Sequence, residues 1–138
     1  MDLDYEKLMK YRNTHSPFAR QLGIQLTELV PGRAVAEKTV TEEDLNPLAY
    51  VHGGVYFSLA DTACGSAMVT HGYKAVTLNA SYQFLRPARA GDRLRAEAVE
   101  VKSGRTVCVF DVRITGQAGS LLGTGTFTFY RLDEKVTL

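Results

Sequence analysis

One stretch of this 138-residue chain reads as a long helix, and it governs what the rest can form. From about residue 53 to 71 the side chains are apolar on most sides and unusually small, with Ala60, Ala63, Gly65, Ser66 and Ala67 close together. A helix without a wet face needs burial over most of its surface, and small side chains let a sheet approach it closely. Gly72 supplies the stop, and His71 sits near the negative end of the dipole. A single carboxylate, Asp61, stands about two turns inside, among Leu59, Ala60, Ala63 and Cys64. Burying a charge there is costly unless it has a partner or a task. At the start, His52-Gly53-Gly54 leaves the first backbone N–H groups unscreened for an anionic or polarised oxygen. An oxygen-polarising helix end beside an isolated carboxylate points toward acyl-transfer chemistry.

The flanking sequence supplies sheet. Runs 75–85, 92–101, 106–115 and 121–131 are extended, separated by Pro87 with Gly91, Ser103-Gly104, and Gly116 with Gly119. In run 106–115, Cys108, Phe110, Val112 and Ile114 share one face while Asp111 and Arg113 share the other, as expected for a strand covered on one side. Upstream, residues 24–30 and 34–40 read as two more strands turned by Pro31-Gly32. Leu3, Tyr5, Leu8, Met9 and Arg12 fall at near-helical spacing, and Ser16-Pro17 opens a second short helix that stops at Gly23. Thr41-Glu42-Glu43-Asp44 reads as a cap and one helical turn, broken by Asn46-Pro47. Short connections between consecutive strands favour an antiparallel meander. The expectation is one α+β domain over residues 1–138, with short helices in 3–22 and a core in 23–131. Either the sheet curls around the helix or a partner subunit covers the remainder.

Charge and cysteine content narrow the partners. Lys plus Arg number 16 against 15 acidic residues, a net +1 with no nucleic-acid footprint. No apolar run approaches the ~18 residues of a membrane span. The opening Met1-Asp2-Leu3-Asp4-Tyr5-Glu6 is acidic, without the basic-then-apolar layout of a secretory signal. Cys64 and Cys108 have neither CxxC nor metal-ligand spacing and read as small packing residues. The expectation is a cytoplasmic, metal-free protein with reduced thiols.

Several ordered motifs, Asn46-Pro47, Val51-His52-Gly53-Gly54 and Ser58-Leu59-Ala60-Asp61-Thr62-Ala63, together resemble the hotdog-fold thioesterases of the phenylacetic-acid-degradation type. Phe84-Leu85-Arg86-Pro87 and Ala90-Gly91-Asp92 match that family's next signatures, and the resemblance spans about residues 17–131. It implies a hotdog fold, a curved antiparallel sheet of about five or six strands wrapped around one central helix. It implies hydrolysis of an acyl-CoA to a carboxylic acid and free CoA, with no separate cofactor. Asp61 becomes the catalytic carboxylate, and the Gly53 N–H the donor to the thioester carbonyl. Asn46 positions the carboxylate or the attacking water, and Thr77 supplies a hydroxyl. Two subunits set their helices face to face in a dimer, and dimers pair into tetramers.

Helix geometry argues for a shared site without reference to any family. Gly53 and Asp61 lie on one helix with eight residues of rise between them, roughly 12 Å along the axis. A carboxylate attacking a carbonyl carbon must come within roughly 3–3.5 Å, or one water further. One helix therefore does not serve both groups to one thioester, whereas two antiparallel copies related by a twofold axis do.

Each candidate also has a plainer reading. Asp61 fits a structural hydrogen bond as well as a base or nucleophile, and Gly54 fits relief of crowding as well as substrate contact. His52 reads as a cap or loop residue supporting the site. Asn46 is a natural turn residue before Pro47. Thr77 alternates with Asn79, Ser81 and Gln83, opposite Val76, Leu78 and Ala80, which fits a merely solvated face. A basic bias over residues 86–105 offers Arg86, Lys102 and Arg105 as partners for CoA phosphates, with Phe84 on the pantetheine path by family similarity. Tyr50, Tyr56, Phe57 and Met68 are the candidates for shaping an aromatic or medium-chain acyl pocket. A non-catalytic acyl-CoA sensor and an acyl-thioester dehydratase or hydratase are the rival functions.

Overall fold

A computed structural model describes residues 3–138, and the first two residues of the acidic N-terminus lie outside the described range. Two helices open the chain, α1 (Tyr5–His15) and α2 (Pro17–Gln21), followed by strands β1 (Gln25–Val30) and β2 (Arg33–Thr39). Asp4 caps α1 through a side-chain bond to the Lys7 N–H, and Pro17 opens α2 where its missing N–H costs nothing. A 3-10 turn, Glu42–Asp44, carries the capping box anticipated at Thr41. The long helix α3 (Gly53–Val69) precedes β3 (Tyr73–Phe84), β4 (Arg93–Ser103), β5 (Val107–Thr115) and β6 (Leu121–Lys135). Helix α3 ends before His71: the Thr70 hydroxyl turns back onto the Ala67 carbonyl, and His71 instead pairs with Glu100 on β4.

All six strands form one antiparallel sheet in the order β1-β2-β4-β5-β6-β3. A simple meander is therefore not what forms. Helix α3 leaves β2, crosses the sheet and delivers β3 to the far edge, so β4 returns beside β2. The helix contacts every strand on the way. Leu94, Ala96, Ala98, Phe110, Val112, Ile114, Phe127 and Phe129 pack beneath it against Leu59, Ala60, Ala63, Cys64, Ala67 and Met68. The small side chains facing the sheet from α3 and from β2 and β4 permit that approach.

Two local features set the site. The first is a β-bulge in β3: Thr77 pairs with Phe129 and Asn79 with Thr128, leaving Leu78 as the extra residue. Phe129 and Phe127 face the helix, so Thr77 and Ala80 face it too, while Asn79 points away. Thr77 thus does not share a face with Asn79, Ser81 and Gln83, because one inserted residue reverses the alternation. The second is an ion pair buried at the foot of α3. Lys38 on β2 points into the core and meets Asp44 Oδ2 at 2.7 Å, with Lys38 1% and Asp44 5% exposed. The same ammonium donates to the Leu22 carbonyl after α2, and the Asp44 carbonyl accepts the His52 N–H at 2.8 Å. One buried charge pair thereby ties the end of α2 to the loop entering α3.

Candidate active site

The less buried residues of α3 line up. Gly54, Phe57, Ser58, Asp61, Thr62 and Gly65 recur at helical spacing and form the stripe of the helix that sheet and N-terminal helices cover least, exposed at Gly54 and Phe57 and half-buried at the rest. Asp61 sits in the middle of it. The Thr77 hydroxyl, brought to this face by the bulge, donates to Asp61 Oδ1 at 2.7 Å. Among the described residues no other side-chain bond to Asp61 forms, which leaves Oδ2 unoccupied.

At the helix start only one of the two glycine amides is open. His52 is the N-cap, and its Nδ1 accepts the Gly54 N–H at 2.8 Å. That bond requires Nδ1 unprotonated, so a neutral His52 carries its hydrogen on Nε2. Gly54 therefore does not offer its amide to a substrate. Among the described residues the Gly53 N–H has no acceptor within the chain. The Phe84 ring lies over Gly53, and a Cβ built there would stand 3.1 Å from it, so glycine is what allows the contact. Tyr56 braces this wall through its hydroxyl bond to the Arg86 carbonyl at 3.0 Å, and burial, with Asp92 adding, pushes its pKa up to about 12.

Two cavities flank the helix and share no residue. One of about 360 Å³ is lined by Asn46, Tyr50, Val51, Gly53, Tyr56, Phe84, Leu85, Arg86 and Pro87. The other, about 260 Å³, holds Asp61, Thr77, Arg12, Ser66, Phe18 and Phe129 among its lining residues. Asn46 belongs to the Gly53 cavity and does not reach the Asp61 carboxylate of its own chain. Its Oδ1 accepts the Leu48 and Tyr50 N–H groups at 2.9 and 3.2 Å, holding the turn before α3. Tyr50 and Tyr56 line the same cavity, but Met68 is fully buried in the core and Phe57 packs on Phe127, so neither shapes it.

The basic run does not gather into one patch within a chain. Arg86 sits at the Phe84 end of the sheet, its guanidinium on the Leu121 carbonyl. Arg93 and Arg95 are engaged by Glu37 and Glu28, and Arg89 stacks on Tyr50. Lys102 and Arg105 lie at the opposite end, where Ser103 pairs with Cys108, Cys108 with Phe129 and Phe129 with Thr77. Both thiols are free and buried, and burial, with Asp61 and Asp111 adding, pushes Cys64 well above the usual thiol range. Among the described residues no group of three His, Cys, Asp or Glu side chains is arranged to hold a metal, and no helix is long and apolar enough to cross a membrane.

Arg12 is the site residue that pattern reading missed. Its signal was present: a cation at the position where the apolar stripe of α1 continues past Leu8. Its Nε donates to Ser66 Oγ at 2.9 Å, inside the Asp61 cavity. Burial lowers the guanidinium pKa, and the nearby Asp61 charge raises it in compensation.

A six-stranded antiparallel sheet wrapped on one helix, with an open amide at the helix start and a carboxylate on its least covered stripe, defines a hotdog-fold protein. The chain belongs to the thioesterase superfamily, whose family model matches residues 48–122. Acyl-coenzyme A thioesterase PaaI of Escherichia coli K12 is 38% identical over 132 residues, 92% of this chain and 94% of its own. The solved structure of E. coli PaaI superposes with a TM-score of 0.92 at 32% identity, covering 96% of each chain. Human acyl-coenzyme A thioesterase 13 is 30% identical over 115 residues, 80% of this chain and 82% of its own. A hypothetical thioesterase protein of Streptococcus pneumoniae TIGR4, solved with coenzyme A, superposes with a TM-score of 0.84 at 30% identity, covering 93% of this chain and 99% of its own. Alanine variants of that pneumococcal protein replace an aspartate and a threonine sixteen positions apart, the separation of Asp61 and Thr77 here.

Proposed function

We propose that the protein hydrolyses acyl-CoA thioesters and does so as a dimer, each site combining Gly53 of one copy with Asp61 of the other. The observation that carries this reading is the division of the site within one chain: the amide donor and the carboxylate line separate cavities. Two antiparallel α3 helices laid stripe to stripe bring the two cavities together. The surface supports such a pairing. Strand β3 is an edge strand, and Val76 and Leu78 on it are 51% and 59% exposed, an apolar edge that needs covering.

In the composite site the Gly53 N–H donates to the thioester carbonyl oxygen and stabilises the charge that develops there. Asp61, oriented by Thr77, acts through Oδ2. It either removes a proton from the attacking water or attacks the carbon itself to form an anhydride that water then opens. Collapse of the tetrahedral intermediate expels the CoA thiolate. When water attacks, this leaves the carboxylic acid, and the proton held by Asp61 passes to the thiolate. When the carboxylate attacks, it leaves the Asp61 anhydride, which water then hydrolyses to the acid while its proton goes to the thiolate. CoA arrives as part of the substrate, and no further cofactor enters these steps. Relatives named acyl-coenzyme A thioesterase and a neighbour solved with coenzyme A support the substrate class.

The test is thiol release from a panel of acyl-CoAs, run beside sedimentation analysis. Thiol release by the wild type and its loss in Asp61→Asn is the expected result. Binding without thiol release indicates a sensor, and hydration products without free CoA indicate a hydratase. A fully active monomer overturns the shared site.

A further inference from the structure

In the composite site the thioester lies where the two cavities meet. The Gly53 side carries Phe84 and Arg86; with the CoA arm on that side, the acyl group would extend into the Asp61 cavity. Along α3 that cavity soon reaches Arg12. Gly65 lies four residues, just over one helical turn, after Asp61 on the same face, ~6 Å along the axis. A Cβ built on Gly65 would stand 3.8 Å from Arg12 Nη2, so the guanidinium lies over that turn. Its position is held by Ser66, whose hydroxyl accepts from Arg12 at 2.9 Å and donates to the Thr62 carbonyl at 2.7 Å. Among the described residues no carboxylate forms an ion pair with Arg12.

Behind Arg12 is a second cavity of about 310 Å³, lined by Leu8, Tyr11, Leu132 and Val136 together with the polar Lys74 and Thr137. Arg12, Val69 and Ala75 line both cavities, so they form the wall between them. Of the three, only Arg12 comes from an element other than the sheet and α3, and only it has a long polar side chain.

We propose that Arg12 is the specificity-determining residue that closes the acyl pocket and limits the length of the acyl group accepted. An acyl group extending about one helical turn beyond its carbonyl ends at the guanidinium. A longer apolar chain must press against a half-buried cation that it cannot hydrogen-bond, and that contact is unfavourable. The inference rests on the thioesterase reading above.

The test is kcat/KM for thiol release from straight-chain acyl-CoAs, acetyl to dodecanoyl, with wild type, Arg12→Met and Arg12→Ala. Arg12→Ala joins the two cavities. It is expected to raise the decanoyl-to-butyryl ratio by about tenfold or more, chiefly through a lower KM for long chains. Arg12→Met keeps the length without the charge and is expected to shift the ratio in the same direction by less. It decides the matter alone if Arg12→Ala does not fold. A ratio unchanged in both variants overturns the inference and leaves the thioesterase reading standing. A wild type that hydrolyses no acyl-CoA overturns both.

Discussion

Thr77 donates its hydroxyl hydrogen to Asp61 Oδ1 at 2.7 Å, joining edge strand β3 to the middle of α3. A bond to an ionised carboxylate is worth about 1.5–3 kcal/mol, and here it occupies Oδ1 and leaves Oδ2 for the proposed chemistry. Thr77→Val is therefore expected to lower kcat by about ten- to a hundredfold with little change in KM. Thr77→Ser, which keeps the hydroxyl, retains most turnover. Equal losses in both variants contradict a hydrogen-bonding role.

Asp61→Asn is expected to cost about 10²–10⁴ in turnover, because an amide serves neither as base nor as nucleophile. Asp61 lies on the least covered stripe and is only half-buried, so the fold persists. Circular dichroism with a thiol-release assay checks both halves of the prediction. Near-normal turnover ends the assignment.

Gly53→Ala keeps the backbone N–H but sets a methyl 3.1 Å from the Phe84 ring. The ring or the helix start must shift, and turnover is expected to fall by about tenfold or more. Gly53→Ala combined with Phe84→Leu recovers part of the loss if the clash is the cause. A double variant no better than the single shows that the methyl acts otherwise.

Lys38→Met leaves Asp44 buried without its cation and is expected to destabilise the fold by about 3–5 kcal/mol. Adding Asp44→Asn restores part of that. Burial pushes the Asp44 pKa up, but the Lys38 and Thr41 hydrogen bonds outweigh it and hold the carboxyl below its ordinary 3.8. A depressed folded-state pKa stabilises above the unfolded value and is lost as pH falls through the folded one. Urea denaturation between pH 7 and 2 is thus expected to show stability declining below about pH 4, with a shallower decline in Asp44→Asn.

Lys102 and Arg105 make no ion pair among the described residues and are free to meet phosphates. Charge reversal at either is expected to raise KM for acyl-CoA by about threefold at low salt, with kcat nearly unchanged. The effect fades as salt rises. Unchanged kinetics at low salt remove both from the CoA site.

What could be read from the amino-acid order was what neighbouring residues decide. The glycine pair and His52 mark the start of α3, its small apolar residues demand a wrapped sheet, and Asp61 stands out because nothing near it in sequence balances its charge. Eight residues of helical rise were enough to separate Gly53 from Asp61, and the proposed two-copy site rests on that separation. Those conclusions rest on helix spacing and capping, which act within a turn or two.

Tertiary structure decided the rest, because pairing partners far apart in sequence settle it. The bulge at Leu78 depends on the register against β6 and turns Thr77 toward Asp61, where strict alternation set it on the outer face. The His52 ring claims the Gly54 amide and leaves Gly53 as the open donor. Crossing of α3 over the sheet puts β3 at an exposed edge, where a meander would have buried it between neighbours. Arg12 enters the Asp61 cavity only because tertiary packing brings its long side chain to Ser66 on α3, a contact between residues 54 positions apart. Local spacing singled out the candidate groups, and long-range packing determined which of their atoms are left without a partner.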